Sequence, residues 1–232
     1  MVFNDGDFLK IEYSAWRVAD NKLIYTTSKS VAEANDIFDS EVKYVPQLIV
    51  IGKGSTIKGV EKAVMAMNLN ETKKVEIEPK DAFGEKSPEL VKVVSIADFK
   101  KRDIDPYPGM QIDIDGAIAT IKSVNSGRVV VDANHPLAGE KMLYEIKVVS
   151  KIDKDDERVR EIAGMCSLVP DSVSVDNGEV KVLFGDKVEK DSKYLINKSD
   201  FVNSVLRYME KVTKVSVEEN YLRKKTEEKK QD

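Results

Sequence analysis

The chain has 232 residues, 41% of them hydrophobic, and its 37 basic against 41 acidic side chains leave a formal charge of −4. That length exceeds one typical domain and predicts two or three cores, while the near balance of charge withholds the basic face that nucleic-acid binding requires. A single cysteine, Cys166, excludes an intramolecular disulfide and fits a reducing compartment, and the polar start Met1-Val2-Phe3-Asn4-Asp5 with no run of about 18 apolar residues predicts a soluble, cytoplasmic protein without membrane contact.

In chain order, Leu9-Lys10-Ile11-Glu12-Tyr13 alternates and predicts a half-buried strand with Leu9, Ile11 and Tyr13 on one face. Gly52, Gly54 and Gly59 punctuate the entry to one short helix whose Val60, Ala63, Val64 and Met67 share a face, and Lys74-Val75-Glu76-Ile77-Glu78 reads as a strand before a corner at Asp81-Ala82-Phe83-Gly84. A second section starts at Glu85-Lys86-Ser87-Pro88. It holds strands at Met110–Asp115, Ala117–Ser123 and Arg128–Val131, the last two joined by Asn125-Ser126-Gly127, and it ends near Asn134-His135-Pro136. Met142–Val149 then resumes the alternation, with Tyr144, Ile146 and Val148 on one face. The simplest topology therefore inserts the middle section into a loop of the first, at small cost because loop-closure entropy grows only logarithmically. After a charged link, Lys151–Glu157, come a helix at Arg158–Leu168, a hairpin Ser172–Val175 and Glu179–Phe184 across Asp176-Asn177-Gly178, a helix at Ser199–Glu210 and a strand at Val212–Tyr221. Arg223–Asp232 reads as a frayed or disordered tail.

Several motifs fail on their chemistry. Gly52-Lys53-Gly54-Ser55 has Gly where a Walker loop needs Ser or Thr after the lysine, and Leu48 where it needs the first glycine, so no nucleotide is expected. His135 is the only histidine, which excludes paired-histidine zinc sites and histidine triads; it reads as a loop imidazole beside Pro136. Cys166 reads as a small buried thiol with nothing to activate it, and Asp155-Asp156 and Glu218-Glu219 as solvated faces. No metal and no cofactor are expected.

What remains is a set of rings, and rotation about an X-Pro amide is a reaction for which rings suffice. The uncatalysed barrier of ~18–20 kcal/mol comes from amide resonance. Water stabilises the planar, charge-separated amide more than the twisted one, so an apolar slot lowers the barrier without acid, base or metal. A thousandfold acceleration asks about 4 kcal/mol of differential binding, within reach of ring packing on proline and one hydrogen bond to a carbonyl.

Tyr13 in Ile11-Glu12-Tyr13-Ser14, the run Ile51-Gly52-Lys53-Gly54-Ser55-Thr56-Ile57-Lys58-Gly59-Val60-Glu61, the Asp81-Ala82-Phe83-Gly84 corner and Leu143-Tyr144-Glu145-Ile146-Lys147-Val148 together resemble the FKBP type of peptidyl-prolyl isomerase. The section Lys86–Asn134 and its closing Asp132-Ala133-Asn134-His135-Pro136-Leu137-Ala138-Gly139 are similar to SlyD-like members, whose flap loop carries an inserted chaperone domain; beyond residue 153 the architecture resembles the long archaeal FKBPs. The resemblance implies an α+β fold: an antiparallel FKBP half-barrel sheet wrapped on a short helix (1–85 plus 137–152), a small β-rich domain inserted in the flap (86–136) and a C-terminal α+β domain (153–232).

By the same resemblance the catalytic rings are Tyr13, Tyr25, Phe83 and Tyr144, and the substrate-binding side chains Ile24, Ile49, Thr56, Ile57, Val60 and Leu137. Among the positions that depart from the family, Tyr25 stands where it has an aspartate, Phe83 replaces a tyrosine whose hydroxyl donates to substrate, and Val60 replaces the pocket-floor tryptophan. Val91, Val94 and Phe99 of the inserted section form either its private core or an apolar groove for unfolded chains. The implied partners are unfolded proteins and proline-containing peptides, with a homodimer through the C-terminal domain resting on the apolar stretch Val212–Leu222. The implied activity is isomerisation with chaperoning; the alternative is a binding-only holdase with an inactive cleft. The histidine- and cysteine-rich metal-binding tail of SlyD-like members is missing.

Overall fold

The computed structural model describes residues 3–114, 117–185 and 191–221. The tail expected over Arg223–Asp232, Leu222 and the end of a strand at Asp115 lie outside the described residues. The chain is α+β. Its elements are β1 (Phe8–Arg17), β2 (Lys22–Thr26), α1 (Lys29–Ala34), β3 (Gln47–Val50), α2 (Lys58–Met65), β4 (Thr72–Ile77), β5 (Val91–Ser95), α3 (Ile96–Lys100), β6 (Gln111–Ile114), β7 (Ala117–Asn125), β8 (Arg128–Asp132), β9 (Met142–Ile152), α4 (Asp155–Met165), β10 (Ser172–Asp176), β11 (Glu179–Phe184), α5 (Ser192–Tyr208) and β12 (Lys214–Glu219). The strands form sheets in the orders β2-β1-β9-β4 with β3 beside β1, β5-β8-β7-β6, and β10-β11-β12.

Contacts gather the chain into two compact units, one of Met1–Ser14, Tyr25–Val75 and Glu145–Asp232, the other of Ala15–Ile24 and Glu76–Tyr144. In the first, β1 pairs antiparallel with β3, Leu9 opposite Ile49 and Ile11 opposite Gln47. The alternation predicted a single buried face, yet Phe8 is as buried as Leu9 and Ile11. Phe8, Leu48, Val50 and Ile152 share a core with Val159 and Ile162 of α4, Val180, Val182 and Phe184 of β11, and Phe201 and Val205 of α5. A strand covered on both sides is apolar on both sides.

Charged contacts complete this docking. Arg158 lies 5.1 Å from the centre of the Phe8 ring and donates from Nε to Ile152 O at 3.0 Å. Arg207 donates to Lys53 O at 2.8 Å, and Lys53 Nζ pairs with Glu210 and, at 4.0 Å, with Asp5. The lysine of the Gly52-Lys53-Gly54 run is thus occupied by the C-terminal segment. Gly52, at φ 75°, holds a backbone conformation that side chains rarely adopt, and the exposed Asp5 carboxylate would have to move to admit a Cβ.

In the C-terminal segment β10 and β11 form a hairpin with Asp176 opposite Glu179, so the turn is the two residues Asn177-Gly178, both at positive φ. β12 then pairs parallel to β11 after the α5 crossover. Two helices begin earlier than periodicity suggested. α4 starts at Asp155 because Asp155, Asp156 and Glu157 occupy the first turn, where acidic side chains favour the helix dipole. α5 starts at Ser192 because Asp191 caps it, accepting from Tyr194 N at 2.8 Å. A second short helix in the first section, α1, has Ser28 as its cap.

Glu219 is not solvated charge as its sequence setting suggested. Its carboxylate accepts from Tyr194 Oη and Tyr221 Oη at 2.6 Å each and from Lys198 Nζ at 2.7 Å. The Lys198 contact, then the two phenols, hold its pKa down at about 2. A carboxyl titrating lower in the folded than in the unfolded state contributes stability that is present above its unfolded pKa and lost as pH falls toward the folded one. Glu219→Gln should cost about 1–2 kcal/mol near neutrality after allowance for solvent screening. Urea titrations should find wild type and variant converging as pH drops from the ordinary glutamate range toward about 2.

In the second unit, β5 to β8 and α3 enclose a separate small core of Phe99, Ala119, Ile121, Val129 and Val131. The β7–β8 hairpin turns on Ser126-Gly127 alone, since Asn125 already pairs with Arg128, and both turn residues have positive φ. The two ends of this segment are tied together: Gly139 N donates to Gly84 O at 2.8 Å, and the Asn134 side chain both accepts from Ser87 N (2.8 Å) and donates to Ser87 O (2.9 Å). Among the described residues no helix is long and apolar enough to cross a membrane.

Candidate functional site

In the first unit, Tyr13 on β1 and Tyr25 on β2 bring their rings to 5.4 Å with a 32° tilt. Thr27 fixes the Tyr13 backbone: Tyr13 N donates to Thr27 Oγ1 and Thr27 N to Tyr13 O, each at 2.9 Å. The two hydroxyls are joined by Gln47 at the start of β3. Tyr13 Oη donates to Gln47 Oε1 at 2.9 Å, and Gln47 Nε2 donates to Tyr25 Oη at 2.6 Å. Burial pushes the Tyr25 phenol up, the Gln47 bond offsets part of this, and Tyr44 adds to the rise.

Ile49 is buried on the face of β3 that Gln47 shares. Ser55 Oγ accepts from Val50 N at 2.7 Å and donates to Val50 O at 3.1 Å, folding the glycine-rich loop back so that Thr56 and Ile57, both half-buried, lead into α2. Ile57 caps α2 without a side-chain hydrogen bond of its own. Val60 in the first turn of α2 is buried at 1% exposure.

In the second unit, Phe83 stacks on His135 with centroids 4.6 Å apart and planes 4° from parallel. His135 Nδ1 accepts from Leu137 N at 3.1 Å. The loop imidazole is therefore a partner of a candidate site ring, and Leu137 sits half-buried beside it in sequence. Ile24 is half-buried near the end of β2. Tyr144 on β9 is only 5% exposed, and burial pushes its phenol up to about 12. Val94 and Phe99 meet elsewhere, lining with Ile104, Ile112 and Ile114 a hollow of about 150 Å³; Val91 is half-buried on β5 but is not part of that lining.

The structure thus joins Tyr13 to Tyr25, joins Phe83 to His135, and gathers Val94 with Phe99. Sequence reasoning missed Gln47 and His135. Gln47 could have been found from its spacing of two from Ile49, which puts it on the same face. The site holds no thiol or imidazole aimed at a substrate, and among the described residues no cluster of three or more metal-ligating side chains occurs. Two aromatic rings and neutral hydrogen-bonding groups beside buried apolar side chains can desolvate and orient an amide; they cannot attack it.

Two family profiles match. One, described as FKBP-type peptidyl-prolyl cis-trans isomerase, covers residues 2–100, and the other, described as FKBP26, IF domain, covers residues 92–137. A short-type peptidyl-prolyl cis-trans isomerase of Methanocaldococcus jannaschii is 35% identical over 143 residues, 62% of this chain and 90% of that protein. The FKBP-type peptidyl-prolyl cis-trans isomerase SlyD of Helicobacter pylori is 29% identical over 131 residues, 54% of this chain and 70% of that protein. The crystal structure of the three FKBP domains of wheat FKBP73 aligns at 14% identity and a TM-score of 0.34, covering 65% of this chain and 40% of that one.

Proposed function

We propose how this chain, which belongs to the FKBP-type peptidyl-prolyl cis-trans isomerase family, performs the reaction and holds its clients. It isomerises X-Pro bonds by moving the amide out of water, with no covalent intermediate. The observation that carries this reading is the 35% identity running over 90% of a protein named for the activity, to which the ring pair adds a physical means. Water no longer favours the planar amide once the proline is enclosed by aromatic walls, so the twisted state is reached more easily.

The proposed walls are Tyr13, Tyr25, Phe83 and Tyr144, with Ile24, Ile49, Thr56, Ile57, Val60 and Leu137 meeting the substrate. Residues 1–85 with 137–152 form the proposed isomerase domain, 86–136 the inserted chaperone domain with Val91, Val94 and Phe99 as its apolar contacts, and 153–232 the C-terminal domain. Clients are unfolded chains and proline-containing peptides. A cytoplasmic setting fits the single free thiol of Cys166. A homodimer through the C-terminal domain would draw on Leu195, Ile196 and Leu206, which α5 leaves exposed, because Val215 and Val217 of the stretch first suspected pack against the domain's own core.

The test is a refolding reaction limited by proline isomerisation, whose slow phase lasts tens of seconds. Catalytic amounts of the protein should shorten it, and Tyr13→Ala, half-buried and therefore tolerable, should lose about tenfold in rate while still suppressing aggregation. If the slow phase keeps its length and only stoichiometric protein raises the yield, the chain is a holdase, its slot silenced by the changes at Tyr25, Phe83 and Val60.

A further inference from the structure

Gln47 turns its carbonyl oxygen to one of the two phenols it joins and its amide N–H to the other, and the hydrogen it takes is that of Tyr13. Toward Tyr25 it presents its N–H, so the Tyr25 oxygen accepts. The Tyr25 hydrogen finds no acceptor among the described residues. Its oxygen is held at 2.6 Å and its ring rests 5.4 Å from that of Tyr13, so the hydroxyl is fixed in place with its donor unspent.

We propose that Tyr25 is the side chain that donates a hydrogen bond to a substrate carbonyl in this site, and that Gln47 is the residue that positions it. This rests on the isomerase reading. The chemistry differs from that of a carboxylate at the same position, which can only accept. Tyr25 also carries a hydroxyl, which Phe83, at the position where the resembled family has a tyrosine, does not. The bond is useful at a carbonyl flanking the X-Pro amide, whose charge does not change as the amide twists: it holds one side of the rotating bond in place and so acts on the rate through orientation. Because burial raises the phenol's pKa, the donor stays protonated through neutral and mildly alkaline conditions.

Four proteins test this in a protease-free peptide isomerisation assay: wild type, Tyr25→Phe, Gln47→Leu and the double variant. Each single change should lower kcat about three- to tenfold with KM little moved. The double variant should lose no more than the worse single one, since Gln47 acts through the Tyr25 hydroxyl and has nothing to position once that is gone. Gln47→Leu should also shift the phenolate titration of Tyr25 upward, because the amide N–H that favours the phenolate is gone; a merely structural glutamine would leave that titration in place. Thermal melts establish that each variant is folded. Should wild type catalyse while Tyr25→Phe runs at the wild-type rate, the donor assignment is overturned and the isomerase reading stands. Should wild type not catalyse at all, the isomerase reading falls and takes this one with it.

Discussion

Replacing residues 86–136 by a short glycine linker is expected to cut catalysis of a proline-limited protein refolding reaction about a hundredfold, while leaving the rate on a short proline peptide within about twofold. The excision is geometrically cheap. Gly84 and Gly139 are already hydrogen-bonded at 2.8 Å, so the loop closes where the chain has already brought its ends together. Phe99, Ala119, Ile121, Val129 and Val131 form a core cluster within the excised stretch, so those buried side chains leave together. That stretch leaves Val93, Tyr107 and Ile118 more than 60% exposed, surface that a folded client has no use for and an unfolded one can cover. On the proposed reading, weak contact there would tether the client and raise the local concentration of its prolines at the rings. A tetrapeptide is too short to use the tether, so its rate reports the rings alone. Equal losses on both substrates would mean that the segment supports the site's structure and does not hold chains.

What the sequence disclosed and what it hid divide along a physical line. Features set by neighbours in sequence were legible: the alternation of Leu9, Ile11 and Tyr13, the Asn177-Gly178 turn that only positive-φ residues satisfy, and the helix face of Val60, Ala63 and Val64. Features set by distant chain were not. Nothing near Phe8 announces that Phe184 and Val159, some 150 or more positions on, cover it. Lys53 looked like a fragment of a phosphate loop and is bound by Glu210. Helix starts at Asp155 and Ser192 were missed although their signals were local, because apolar periodicity outweighed acidic and capping residues.

The candidate site shows the same division. Its rings could be placed by spacing and resemblance, whereas Gln47 shows only that it shares a strand face with Ile49, and His135 carries no signal of its own in a loop. Gln47 acquires a role only when the β1–β3 register sets it opposite Ile11 and within reach of two phenols. His135 acquires one only by stacking on a ring more than fifty positions earlier.

Phe184→Ala is the substitution expected to cost most stability, about 3–5 kcal/mol in urea unfolding. Its ring is fully buried and meets Tyr194 and Phe201 edge-on, each at 5.9 Å, so alanine would forfeit transfer energy, two ring contacts and the volume between them. Lys181→Ala on the open side of the same strand should stay within about 0.5 kcal/mol. The loss should not remain local. Phe184 shares its core with Phe8, Leu48 and Val50, whose strands carry Tyr13 and Gln47. Amide exchange should therefore speed up in β1 and β3 as well as in β11. If exchange accelerates only beyond Ile152, the C-terminal segment opens independently, and the strands bearing the ring pair stand without it.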